Sequence, residues 1–241
     1  MQLHQLDARI QRMLDELKPM ALRARTSVEG IEIAPRGTDA FEPFQNGGTW
    51  AVDGEWWDFR FSVTVPEGYR GRVVLNIRTG REAEWEAINP QFVAWVDGRI
   101  EQAFDTKHTS MLLQRSAEPF KKFDILLNAY AVIRPDEPVA PPVLHLSLDD
   151  VDENLIQLIY DIEVPYQAAV LLPEGDRERE TTLEMLARAI DILDIRKPHS
   201  DLYDRSVAEA RRYLKEAYYD ARRGLAPIAY ADSVGHTHID V

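Results

Sequence analysis

The sequence contains no cysteine among its 241 residues. Disulfide bonds, metal sites built on thiolates and a cysteine nucleophile are therefore excluded. The chain also lacks any run of roughly 20 apolar residues, the length that a membrane-spanning helix needs. Its N-terminus is charged and amphipathic and lacks the unbroken apolar core of a signal peptide. We therefore expect a cytoplasmic protein with no membrane partner.

Basic residues are outnumbered, with 28 Lys and Arg against 41 Asp and Glu and a formal net charge of −13. Such a surface repels phosphate backbones and anionic lipids, so nucleic acid is not an expected partner. Hydrophobic residues, in contrast, make up 45% of the chain. This is enough to bury a core in one large domain or two smaller ones.

Helical spacing of apolar residues opens the chain. Leucines, isoleucine and methionine recur at intervals of three and four between Leu3 and Leu17, and Pro19 is expected to end this helix. Residues 25–48 follow with several prolines and glycines and little periodicity, which predicts a loop.

Alternation of apolar and polar residues then predicts an antiparallel β-sandwich over about 49–147. The pattern is clearest where Phe59, Phe61 and Val63 alternate with polar neighbours. Asp97 and Gly98 suit the tight turn of a hairpin. Strands are predicted at 58–65, 73–77, 91–96, 99–104 and 123–132.

Helical spacing returns after residue 148. Helices are predicted around 155–162, 183–193 and 202–223. Thr181 and Glu184 fit a capping box at the start of the second of these helices. Residues 228–234 then predict a short buried strand.

The most specific chemical motif is the segment 235–241, with the sequence GHTHIDV. His236, His238 and Asp240 are spaced by two, so they would project from one side of a continuing strand. Imidazole nitrogens and a carboxylate are ligands that suit Zn²⁺. The alternative is a histidine-rich segment that binds nothing.

Segment 235–241 resembles the start of the catalytic domain in glycoside hydrolase family 38, the zinc-dependent retaining α-mannosidases, where a strand ends in G-H-x-H-x-D. The resemblance implies that His238 and Asp240 bind zinc, whereas His236 is not a direct ligand. Bacterial-type members also carry a sandwich and a helical segment before this strand. Residues 95–112 resemble the corresponding sandwich hairpin.

The predicted fold class is α+β. The parts are an N-terminal helix (1–24), an antiparallel β-sandwich of galactose-binding-like or jelly-roll type (25–148), a three-helix segment (149–226) and the first strand of a truncated catalytic α/β barrel (227–241). By resemblance, the whole enzyme would hydrolyse terminal α-mannosides of oligosaccharides with retention and form a homo-oligomer. The remaining catalytic residues would lie beyond Val241. We therefore expect this chain alone to be inactive and not to retain Zn²⁺.

Two other functions stay open. One is a carbohydrate-binding or interaction module without catalysis, and the other is a different zinc hydrolase that shares H-x-H-x-D. The tryptophans are Trp50, Trp56, Trp57, Trp85 and Trp95. We predict that they are mainly core or interface residues, although they could instead form a platform for sugar rings. Because Trp56 and Trp57 are adjacent in a strand, at most one of them can be core.

Two further groups are predicted to be structural. Asp150, Asp152 and Asn154 resemble the first half of a calcium loop, but leucine stands at the position that requires glycine. Acids at the start of a helix are favourable without any metal. His108, near Asp105, is predicted to be a hydrogen-bonded structural histidine.

Overall fold

The computed structural model describes residues 3–50, 56–83, 89–131 and 141–223. They belong to two units, one formed by Met1–Leu14 with Leu158–Val241 and the other by Asp15–Gln157. The predicted strand at 228–234 and the barrel that it would open lie outside the described residues.

The strands are β1 Leu22–Ser27, β2 Glu32–Pro35, β3 Glu42–Pro43, β4 Gly48–Thr49, β5 Trp56–Thr64, β6 Arg72–Arg78, β7 Gln91–Val96, β8 Arg99–Phe104, β9 Ser110–Gln114, β10 Lys122–Tyr130 and β11 Val143–Val151. The helices are α1 Leu3–Met20, α2 Glu153–Val170, α3 Arg177–Ile192 and α4 Asp201–Leu214. A π-helical turn, Lys215–Tyr219, and a 3₁₀ turn, Asp220–Arg222, follow α4.

The strands form two antiparallel sheets. A six-stranded sheet has the order β3-β2-β5-β10-β7-β8, and a five-stranded sheet has the order β1-β11-β6-β9 with β4 paired to β11. One hydrophobic core is built from residues of both sheets, including the fully buried Phe59, Leu75, Leu127 and Leu146. The predicted α+β class with antiparallel sheets is confirmed, and each strand predicted from alternation is present.

The predicted loop at 25–48 is wrong, because this region contributes strands β1 to β4. Strand β1 has the sequence LRARTS and is largely exposed, so it shows no apolar alternation. It is held by backbone pairing along β11. Strand pairing of this kind leaves no hydrophobic signal in the sequence, since the bonds involve backbone groups that every residue carries.

The predicted end of the first helix at Pro19 is also wrong, because α1 continues to Met20 with Pro19 inside it. Proline lacks a backbone donor and its ring crowds the carbonyl four residues earlier, and α1 ends one residue after Pro19. Helix α2 likewise runs through Pro165, well beyond the predicted residue 162.

The predicted capping box at Thr181 is wrong as well. Helix α3 begins at Arg177, and the side chain of Asp176 accepts hydrogen bonds from the backbone N–H groups of Glu178 and Arg179. The Thr181 hydroxyl donates instead to the carbonyl of Arg177 within the helix. The third predicted helix, 202–223, is present as α4 to Leu214 and continues as the π-helical and 3₁₀ turns to Arg222.

The unit containing α3 and α4 has apolar residues buried at helical spacing, including Leu183, Leu186, Ile190 and Val207. Tyr166 donates a 2.5 Å hydrogen bond to Asp7, which joins α2 to α1 within this unit. Across the described ranges, none of the helices combines the length and the apolar character that crossing a membrane would require.

Candidate functional site

The predicted zinc ligands His238 and Asp240, together with His236, lie outside the described residues. Their role therefore stays a prediction. Within residues 3–50, 56–83, 89–131 and 141–223, no three His, Asp or Glu side chains are placed to hold a metal ion. Other candidate sites among the described residues lie on the surface of the sandwich.

The outward side of the six-stranded sheet carries an unusual set of side chains, here called the outer face. Neighbouring strands place them in three rows across the sheet. The rows are Trp56–Tyr130–Gln91, Asp58–Asn128–Val93–Ala103 and Glu32–Arg60–Leu126–Trp95. A solvent-facing antiparallel sheet normally carries polar residues at such positions. The outer face instead combines aromatic and aliphatic side chains with a few polar ones.

Two depressions lie on the outer face. The first, the Tyr130 pocket, has a volume of about 470 Å³. Its lining includes Trp56, Gln91, Val93, Asp105, His108, Asn128 and Tyr130. The second, the Trp95 pocket, has a volume of about 590 Å³. Its lining includes Glu32, Phe41, Arg60, Ser62, Trp95, Asp124 and Leu126. Both volumes fall in the range of small-ligand sites.

One wall of the Tyr130 pocket is a stack of aromatic rings. The rings of Trp56 and Tyr130 lie 4.6 Å apart with an interplanar angle of 33°. The Arg36 guanidinium lies 4.8 Å from the Trp56 ring centre, and the Arg36 N–H donates to the Trp56 carbonyl. Tyr130 and Arg36 therefore both contact the indole, and 47% of Trp56 remains exposed. Of the adjacent pair, only Trp57 packs against the core, as predicted.

The other tryptophans divide between core and surface. Trp50 is buried and meets Phe59 edge to face at 5.2 Å, so the core prediction is confirmed for it. Trp95 is half-buried on the outer face. Trp85 lies outside the described residues.

A hydrogen-bonded chain separates the two pockets. The indole Nε1 of Trp95 donates to Asn128 Oδ1 at 2.6 Å, and Asn128 Nδ2 donates to Asp58 Oδ1 at 2.7 Å. These two bonds fix the rotation of the Trp95 ring and the orientation of the Asn128 amide. The outer face therefore presents its polar groups in a defined arrangement.

A tight turn supplies the opposite wall of the Tyr130 pocket. Asp105 Oδ1 accepts the backbone N–H groups of Lys107 and His108 at 2.7 and 2.6 Å, and His108 Nδ1 lies 3.0 Å from the same oxygen. Burial raises the pKa of the Asp105 carboxyl, but the hydrogen bonds from His108 and Lys107 together lower it below its usual value. Asp105 is therefore an ionised acceptor at neutral pH. The prediction of a hydrogen-bonded His108 is confirmed, although this histidine is largely exposed.

The charged groups of the Trp95 pocket are paired with one another. Arg60 Nε donates to Glu32 at 2.6 Å, and the Arg60 guanidinium lies 3.9 Å from the Phe41 ring centre. The hydrogen bond from Arg60 lowers the pKa of Glu32. Asp124 accepts a 2.5 Å hydrogen bond from Ser62, which together with Lys122 lowers its pKa. Both acids are therefore ionised at neutral pH.

The suspected calcium loop has structural partners instead of an open coordination site. Asp150 accepts the backbone N–H groups of Arg70 and Gly71 at 3.0 and 2.7 Å. Asp152 pairs with Arg23 at 2.6 Å and accepts the N–H of Leu155 in the first turn of α2. The prediction that these acids stabilise the start of a helix is confirmed for Asp152.

Tyr130 and Asn128 were not singled out from the sequence. The available signal was the parity of β10: Phe123, Ile125, Leu127 and Ala129 face the core, so an aliphatic Leu126 and an aromatic Tyr130 fall on the polar side. Which strands lie beside β10 cannot be obtained from this parity. The two pockets depend on that pairing.

No protein-family model and no curated protein matches the sequence. Among solved structures, the chain is similar to a GH2 β-galacturonidase from Eisenbergiella tayi bound to galacturonate, with 12% identity and a TM-score of 0.37. It is also similar to a β-glucuronidase from Ruminococcus gnavus in complex with D-glucaro-d-lactam, with 8% identity and a TM-score of 0.35.

These matches cover 54% of this chain, and they span 25% and 30% of the two solved chains. The solved structures are β-uronidases of a different glycoside hydrolase family, so they contradict the prediction of an α-mannosidase. That activity is withdrawn. At such low identity and TM-score, the similarity does not transfer the activity of those enzymes to this chain.

Proposed function

We propose that the sandwich binds carbohydrate on its outer face, at the Tyr130 pocket, as a non-catalytic part of a glycoside hydrolase. One observation carries the proposal: an aromatic wall, Trp56 and Tyr130, stands beside an apolar floor that planar polar side chains surround. A pyranose ring has an apolar C–H face and a rim of hydroxyl groups. Aromatic rings suit the first, and amide and carboxylate groups suit the second.

The polar groups around the floor match the hydroxyl rim in chemistry. Asp105 is an ionised acceptor, because its hydrogen bonds hold its pKa low. The Gln91 and Asn128 amides lie in the same lining. The indole of Trp95 orients the Asn128 amide, so this group is preorganised for a ligand. Preorganisation reduces the entropic cost of binding.

A merely solvated sheet face would not explain this arrangement. Apolar residues alone on a surface are common, whereas contiguous ones with a polar rim mark a binding site. Val93, Leu126 and Tyr130 come from neighbouring strands of one sheet and share its outward side. In the Tyr130 pocket, the apolar contribution therefore comes from more than one strand.

Titration of the whole chain with a panel of hexoses, uronates and their short oligomers tests the proposal. Tryptophan fluorescence and calorimetry would report binding. We expect saturable binding that Trp56→Ala and Tyr130→Ala weaken by about fivefold or more, as the loss of an aromatic contact predicts. Tyr160→Ala is the matched control, because Tyr160 is an exposed aromatic residue in the helical unit. The proposal fails if no sugar binds, or if all three variants bind equally.

Other predictions remain alongside this proposal. The jelly-roll type of the sandwich, a cytoplasmic location and a homo-oligomeric state stay predictions. Zinc binding by His238 and Asp240 also stays a prediction. We expect the purified chain to contain little Zn²⁺. Stoichiometric Zn²⁺ that is lost in His238→Ala would contradict this expectation, independently of any sugar binding.

A further inference from the structure

We infer that the outer face takes an extended, neutral oligosaccharide rather than a single sugar. This inference rests on the proposed function and adds the class of ligand to it. It starts from the second depression, the Trp95 pocket, which the proposed function does not use. Both pockets open on the same side of the same sheet.

The two pockets follow one another along β10. Tyr130 and Asn128 line the first pocket, whereas Leu126 and Asp124 line the second. Asn128 and Asp124 are four residues apart in an extended strand, a separation of about 13 Å. This distance is longer than one sugar ring. A ligand that contacts both pockets must therefore be a chain of linked sugars that follows the strand.

The hydrogen-bonded chain between the two pockets is consistent with one ligand that crosses both. Trp95 lines the second pocket, and its indole donates to Asn128, which lines the first. One hydrogen bond thus connects the walls of both pockets. Phe41, backed by the Arg60 guanidinium, gives the second pocket an aromatic wall of its own. Each pocket therefore offers an aromatic contact and polar groups to a separate sugar.

Charge selects against acidic sugars. The acids around the pockets are Glu32, Asp105 and Asp124, and hydrogen bonds lower the pKa of each. Among the residues lining the two pockets, the basic side chains are Arg60, already paired with Glu32, and His108, already bound to Asp105. A uronate carboxylate would meet like charges, on a chain whose net charge is −13. Like charges close to a bound carboxylate disfavour its binding, whereas hydroxyl groups suit these acceptors.

Calorimetry with ligands of defined length and charge tests both parts of the inference. The probes are di- and tetrasaccharides of glucose, mannose and galactose, and oligogalacturonides of the same lengths. We expect the tetrasaccharide of the bound sugar to bind more tightly than its disaccharide, and oligogalacturonides to bind more weakly than both. Phe41→Ala should weaken the tetrasaccharide by about fivefold and leave the disaccharide unchanged. Tyr130→Ala should weaken both ligands.

Each outcome has a separate meaning. Equal affinity for di- and tetrasaccharide, or an unchanged tetrasaccharide affinity in Phe41→Ala, would overturn the extended ligand and leave the proposed function in place. Tighter binding of oligogalacturonides would overturn the preference for neutral sugars. Absence of binding to every probe would overturn the proposed function and this inference together. Tyr160→Ala serves as the control, and circular dichroism verifies that each variant is folded.

Discussion

Gly71, immediately before β6, stands where the chain has no room for a side chain. A Cβ at this position would lie 2.1 Å from the backbone oxygen of Val151 and 2.7 Å from the Asp150 carboxylate. The backbone N–H of Gly71 also donates to that carboxylate at 2.7 Å. We predict that Gly71→Ala strongly destabilises the sandwich.

The expected loss has two parts. Overpacking against backbone costs about 1–3 kcal/mol, because a backbone oxygen cannot move away as a flexible side chain can. Weakening a hydrogen bond to a buried charged group costs about 1.5–3 kcal/mol more. The free energy of unfolding should therefore fall by about 2.5–6 kcal/mol. A typical domain has a free energy of unfolding of about 5–15 kcal/mol, so the variant would be severely destabilised and the loss would be measurable.

Urea unfolding followed by tryptophan fluorescence would measure this loss. All the tryptophans lie between Trp50 and Trp95, so their emission reports on the sandwich. Gly68→Ala is the matched control: it lies three residues earlier, and a Cβ there would meet nothing within 4 Å. Similar unfolding free energies for the two variants would refute the packing argument for Gly71.

Two further predictions concern the helical unit. Asp176→Ala should lower the unfolding free energy by about 1 kcal/mol, because α3 loses its N-cap, whereas Thr181→Ala should change it by no more than about 0.5 kcal/mol. Urea unfolding followed by circular dichroism measures both variants. A larger loss in Thr181→Ala than in Asp176→Ala would support the cap predicted from the sequence. Burial, with the Asp161 charge, raises the pKa of Tyr219 to about 12 from 10. The stabilisation linked to this raised pKa is complete below the pKa of Tyr219 in the unfolded chain, and it is lost as pH rises through the pKa in the folded protein. Stability should thus fall between about pH 10 and 12. The urea midpoint of the Tyr219→Phe variant should fall less over this range than that of the unaltered protein. Equal dependence of the two midpoints on pH would count against a raised pKa at Tyr219.

The strands with strict alternation were predicted from the sequence because burial of one sheet face imposes a period of two. The turn at Asp97 and Gly98 was also predicted, and both residues have the positive φ that such a turn needs. Strand β1 was missed for the opposite reason. Its side chains are largely exposed, and its place is set by backbone bonds to β11, which lies far away in the sequence.

The cap of α3 shows a different limit. Thr181 and Glu184 satisfy a short pattern, but Asp176 satisfies the backbone donors one turn earlier. Local patterns of this kind occur inside helices as well as at their ends. The competing cap could be recognised only once the start of the helix was known.

Some residues of the candidate site could be predicted from the sequence, but their arrangement could not. Sequence reasoning identified the tryptophans and separated Trp56 from Trp57, but it favoured a core or interface role for them. Tyr130 and Asn128 enter the site because β10 lies between β5 and β7. This pairing joins residues that are up to 74 positions apart, Trp56 and Tyr130 among them. No local pattern encodes such a neighbourhood.

The acidic end of β11 also constrains how the protein is made. Asp149 and Asp152 are buried, and their partners Arg25 and Arg23 lie 124 and 129 residues earlier in the chain. During synthesis, β1 with its two arginines emerges from the ribosome long before the acids that pair with them. Until β11 arrives, β6 has an unpaired edge, since β11 is its neighbour on that side. An unpaired edge invites contact with other chains. The edge of β6 is therefore open to such contacts from the time that β6 emerges until β11 has been made.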